Sequence, residues 1–125
     1  MTLPCELAVR SAVPAIRALV ARKLSITYQM KQEDIAFLLG ITQSAVSQYM
    51  RNARGKAIDI GGIEEVQELV QSLADGLASD SLSQRQITRR YCEVCQIIRQ
   101  KRLLCSLHKR LDPDYKIEDC DSCLP

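Results

Sequence analysis

The chain has 125 residues, of which 46% are apolar and 26% charged, and its net charge is +2. That length supports one compact core, or a small domain with a short metal-stapled module. No apolar run approaches the length that crosses a bilayer, and Met1-Thr-Leu-Pro-Cys5-Glu6 lacks the basic-then-apolar order of a signal peptide, so the expected compartment is the cytoplasm, with reduced thiols and no membrane partner.

In chain order, Leu7, Val13, Ile16, Leu19, Val20 and Leu24 recur at helical spacing, which predicts a helix over about 6–24 with a kink or restart at Pro14. A second helix is expected over 31–39, stopped by Gly40. Thr42 is a good N-cap for a short third helix from Gln43 to about Arg51. Breaks follow at 52–55 and at Gly61-Gly62. Ile63, Val66, Leu69, Val70, Leu73 and Leu77 form one apolar stripe of an amphipathic helix, with Glu64, Glu65, Glu68 and Asp75 outside it. Such a stripe must be buried, either in a dimer or against the first helix. Ser83 can cap a further helix that carries Ile87, Tyr91 and Val94, and the tail from Asp112-Pro113 reads as loop. No strand pattern is found, so the expected fold is all-α.

Charge falls in blocks: +5 over residues 1–56, −6 over 57–84, +7 over 85–110 and −4 over 111–125. Two basic blocks around an acidic spacer allow two surfaces that meet phosphate, although solvated helix faces give the same pattern.

The window Gln32-Glu-Asp-Ile-Ala-Phe-Leu-Leu-Gly-Ile-Thr-Gln-Ser-Ala-Val-Ser-Gln-Tyr-Met-Arg51 is the most specific in the N-terminal half. Ala36 is small where two helices cross, Gly40 suits a positive φ in the turn, and Val46 fits between the helices; Ile35, Leu39, Ile41 and Tyr49 complete an apolar side. This window resembles the lambda-repressor and Cro-like (XRE) helix-turn-helix family over about residues 6–55. The resemblance implies that the third helix enters the major groove of a double-stranded operator. By position, Gln43, Ser44, Ser47 and Gln48 are then base-reading candidates, Thr42 lies on the same exposed face, and Gln32, Arg51, Arg54 and Lys56 are phosphate candidates. A homodimer is expected, because one short helix reads a half-site. The wider layout, with Pro14-Ala-Ile-Arg17, Arg54-Gly55 and a cysteine-rich tail, is similar to archaeal transcriptional regulators of this kind.

Five of the six cysteines lie in Cys92-Glu-Val-Cys95, Cys105-Ser-Leu-His108 and Cys120-Asp-Ser-Cys123. A two-residue spacer lets both thiolates of a pair turn toward one ion. Cys92, Cys95, Cys105 and one of Cys120 and Cys123 can hold an iron–sulfur cluster, [4Fe–4S] or [2Fe–2S], and the surplus thiol suits a site that senses redox or iron status. Zinc is the alternative, held by Cys92 and Cys95 with either Cys120 and Cys123 or Cys105 and His108; a bare thiol switch is a third. His108 reads as a solvated helix residue and Cys5 as a small buried side chain.

The expected organisation is a helix-turn-helix DNA-binding domain at 1–56, an amphipathic helix with its linker at 57–84, and a cysteine-rich metal-binding module at 85–125. The expected function is sequence-specific transcription regulation. A redox enzyme is disfavoured because no strand precedes either Cys-x-x-Cys pair and no nucleophile–base set or small-molecule substrate site is evident. A zinc-stapled protein-interaction adaptor is the competing class.

Overall fold

The computed structural model describes residues 2–52, 55, 56, 58–118, 120 and 121. Among them are seven helices and no strand: α1 (Pro4–Arg10), α2 (Ala12–Tyr28), α3 (Gln32–Leu39), α4 (Gln43–Met50), α5 (Glu64–Ala78), α6 (Gln84–Gln100) and α7 (Cys105–Leu111). None of these helices is long and apolar enough to cross a membrane.

The first predicted helix is two helices, and the break falls at Ser11 rather than at Pro14. Proline has no N–H to give to the carbonyl four residues back, and its ring clashes there, so a continuous helix fails one turn upstream of it. Pro14 itself sits in the first turn of α2, where N–H groups lack helical partners anyway. Ser11 seals the corner from inside. It is buried, and its Oγ donates to the Leu7 carbonyl at 2.6 Å.

α2 is the hub. It packs against α1, α3, α4, α5 and α6. Its buried face is rich in small residues, Ala12, Ala15, Ala18 and Ala21, with Ile16, Val20 and Leu24 between them, which lets several helices come close to one axis. The apolar stripe of α5 is spent on this hub and on α6: Val66, Val70, Leu73 and Leu77 are buried, and Leu69 is half-buried. Of the two expected destinations of the stripe, the chain takes the internal one. A single core joins residues of α1 to α6 with Leu104.

Local signals set the remaining ends. Ser83 accepts from Gln86 N while the Gln86 side chain accepts from Ser83 N, a reciprocal cap on α6. After α6 the chain turns at Arg102, which takes a positive φ of 61° without glycine, and re-enters a helix at Cys105. α7 has no counterpart among the predicted elements. The described residues beyond it, 112–118, 120 and 121, are irregular, as expected, but they fold back: Lys109 Nζ donates to the Tyr115 carbonyl at 3.1 Å and Arg102 donates to the Ile117 carbonyl.

Candidate functional site

α3 and α4 meet across a turn built from three residues. Gly40 has φ 66°, and Ile41 N bonds back to the Ala36 carbonyl at 3.0 Å, which closes α3. Thr42 Oγ1 then accepts from Ala45 N at 3.0 Å and opens α4. A Cβ on Gly40 would meet nothing within 4 Å, so its role is the backbone angle and not the space.

Ile35, Ala36, Ala45, Val46 and Tyr49 are buried between the two helices and α2. That leaves Thr42, Gln43 and Ser44 exposed at the start of α4, with Ser47 and Gln48 half-buried one turn on. Gln32 is half-buried at the start of α3; Arg51 and Lys56 are exposed beyond α4. Arg54 lies outside the described residues.

The far end of α4 is anchored. Arg22 of α2 donates to the Tyr49 carbonyl at 3.2 Å and to Asn52 Oδ1. Gly55, with φ 78°, lies so close to α2 that a Cβ would stand 2.7 Å from the Pro14 carbonyl oxygen and 2.9 Å from Ala18 Cβ. This contact seats Gly55 on α2, and Lys56 beside it is exposed. A hollow of about 340 Å³ lies beside it, walled by Ala18, Arg22, Asn52, Lys56 and Asp59. Its guanidinium is already engaged.

Apart from Cys5 on α1, the described cysteines lie in the C-terminal part of the chain, on α6, on α7 and in the tail. Cys92 and Cys95 are one turn apart on α6, the first exposed and the second half-buried. Cys105 opens α7, and Cys120 lies in the tail with its sulfur 2.9 Å from Tyr115 Oη. Cys123 lies outside the described residues. None of the described cysteines is in a disulfide. Among the described residues no three metal-ligating side chains are gathered closely enough to hold an ion. Burial pushes the Cys95 thiol up; Cys92 adds to this, Arg99 opposes it, and Cys5 adds again.

Two side chains differ from expectation. His108 is buried, not solvated, because α7 turns it inward beneath Tyr115, whose ring stacks on it at 4.0 Å. Its Nε2 is buried and has no hydrogen-bond partner among the described residues. Cys5 is exposed, not buried, because α1 turns Leu7 and Ala8, and not Cys5, into the core. The sequence holds a signal for His108, in its spacing from Cys105, but none for the placement of Cys5.

One connection was illegible in the sequence. Arg17 of α2 hydrogen-bonds Tyr91 of α6, and Tyr49 of α4 lies near enough to act on the same phenol. Burial raises the Tyr91 phenol, and Arg17 acts against that rise. Tyr91 immediately precedes Cys92 on α6, and both α6 and α4 pack on α2. Comparison of the chain with models of protein families, with curated proteins and with solved structures gave no match.

Proposed function

We propose that the protein is a sequence-specific DNA-binding transcription regulator of the lambda-repressor and Cro-like helix-turn-helix type, and that its cysteines hold an iron–sulfur cluster that reports redox or iron status. The observation that carries the first part is the α3–α4 pair: a left-handed glycine turn, a threonine cap, a buried apolar seam, and an outer face that begins Thr42, Gln43, Ser44. A protein that needed only two packed helices has no use for amides and hydroxyls concentrated at one exposed helix start. Gln43 and Gln48 suit the paired acceptor and donor of adenine in the major groove, and Ser44 and Ser47 are short enough to let the helix come close. Arg51 and Lys56 supply positive charge for the flanking phosphates. A homodimer on a two-fold operator follows from the short reading helix, with an interface elsewhere than α5, whose stripe is already covered.

For the cysteine centre, the support is the donor chemistry of the thiols. Cys92 and Cys95 are reduced thiols one helical turn apart; Cys105, with Cys120 or Cys123, would complete the ligand set. A bound cluster supplies a group whose oxidation or loss changes the charge and order of the tail. One observation favours zinc instead. The orphaned, buried Nε2 of His108, three residues after Cys105, suits a nitrogen ligand of a mixed Cys/His site.

The test of DNA reading is selection of bound duplexes from a random pool, followed by titration of the selected site against random DNA. Gln43→Ala or Gln48→Ala should cost about 1–3 kcal/mol on the selected site and little on random DNA. Lys56→Ala should weaken both alike and flatten the salt dependence. No enriched sequence, or equal losses on both duplexes for the two glutamine variants, overturns the proposal.

A further inference from the structure

Two adjoining hollows lie along α2. The first, of about 340 Å³, is bounded by α2 and the segment that leads from α4 toward α5; the second, of about 220 Å³, is bounded by α2 and α5. Leu19 and Arg22 wall both. The first hollow holds the charge. Arg22 is half-buried there, and both of its bonds, to the Tyr49 carbonyl and to Asn52 Oδ1, leave from Nη2. Among the described residues its Nη1 and Nε have no acceptor, and the exposed Lys56 has no ion pair. The carboxylate on this wall, Asp59, already accepts from Gly61 N at 3.3 Å. The second hollow offers apolar surface from Leu19, Val70 and Ile26, and Ile26 stands 77% exposed.

We propose that these hollows bind a small organic carboxylate with an apolar tail, and that the bound acid competes with DNA phosphate for Lys56. The larger hollow has the volume of a small-molecule site. Two cations with donors to spare, against one carboxylate already engaged, set the sign of the head group. A guanidinium held in place by two acceptors is suited to take a carboxylate on its remaining N–H groups. The tail then runs over Leu19 to cover Ile26. Along α2 the rise between those two residues is about 10 Å, roughly the reach of an eight-carbon chain. The head group lies beside the last turn of α4, because the same Arg22 holds the Tyr49 carbonyl. The competition rests on the reading of α4 as the DNA-reading helix with Lys56 on phosphate; the binding site does not. By linkage, acid and DNA weaken each other by the same factor.

The experiment titrates the full chain, free of DNA, with octanoate, acetate and octanol, by calorimetry and by amide NMR spectra. The expected result is saturable binding of octanoate, with shifts gathered around Leu19, Ile26 and Lys56. Acetate lacks the tail and octanol lacks the charge, so each should bind more weakly. Ile26→Ser should weaken octanoate about 5- to 10-fold and Lys56→Gln about 2- to 5-fold, with circular dichroism showing that both keep their helix content. Octanoate should also lower the affinity for the selected operator, and less so in Lys56→Gln. Octanoate that fails to bind, binds no better than octanol or acetate, or shifts residues away from α2 overturns the site. Octanoate that binds along α2 and leaves operator affinity unchanged overturns the competition. A chain that selects no operator overturns the competition together with the DNA reading, while the DNA-free titration still decides the site.

Discussion

Gly40 and Gly55 both take positive φ, yet they answer different demands. At Gly40 the space for a Cβ is open, so Gly40→Ala meets only the backbone penalty of the left-handed region, about 1–2 kcal/mol. At Gly55 the same penalty is joined by a carbonyl oxygen at 2.7 Å, which belongs to the backbone of α2 and cannot rotate away. Gly55→Ala must therefore lift the segment off α2. Thermal unfolding should show the larger loss for Gly55→Ala, and the two changes should separate on DNA. Gly40→Ala alters the angle between α3 and α4 and reduces binding to the selected site. Gly55→Ala releases Lys56 from its position and reduces binding to every duplex. Equal melting temperatures would mean that the α2 contact contributes little to the fold.

At the scale of the helices, the elements most legible in the sequence are those whose signals are local. Gly40 and Thr42 marked both sides of the α3–α4 turn, and Ser83 marked the start of α6, because capping needs only residues three apart. The α1–α2 break was legible in cause but misplaced, since a proline acts on the turn before it. α7 was missed because its turn uses Arg102 in a conformation that glycine usually takes, so no breaker residue announces it. The exposure of Cys5 and the burial of His108 depend on which side each short helix turns to the core, which spacing cannot report. The caps offer a direct check. Ser83→Ala removes the reciprocal pair with Gln86 and should cost about 1 kcal/mol; hydrogen exchange should rise first in the opening turns of α6 and leave α5 unchanged. For α5 the outcome depends on where its stripe lies. Leu73 is fully buried against the chain's own helices, so Leu73→Glu loses about 2–5 kcal/mol of packing and buries an unpaired charge as well. The expected result in sedimentation and circular dichroism is unfolding or aggregation. A well-folded monomer would instead show that the stripe serves an interface between copies.

On the scale of the whole molecule, the proposed regulation needs a path from the cysteine-bearing helix α6 to α4. The two basic blocks of the sequence allowed two surfaces that meet phosphate or merely solvated helix faces; on α6 only Arg85 and Arg89 are exposed, while Arg90 is half-buried and bonded to Ser72 and Glu93. The better-defined route is through packing. Tyr91 immediately precedes Cys92 on α6, and its phenol feels both Arg17 of α2 and Tyr49 of α4. A coupling free energy between two sites is reciprocal, and typical values of about 1–3 kcal/mol correspond to about 5- to 150-fold in affinity. Loaded and stripped protein should therefore differ in affinity for the selected operator, and saturating operator should change metal affinity by the same factor. Tyr91→Phe keeps the ring in the core and removes the hydroxyl that Arg17 holds, so it should shrink that factor while stripped protein binds operator as before. Fluorescence anisotropy on operator and random duplex, with loaded and stripped forms of both proteins, measures all the quantities. An undiminished factor in Tyr91→Phe would rule out this route, and equal affinities of loaded and stripped wild type would reduce the metal centre to a staple with no influence on DNA.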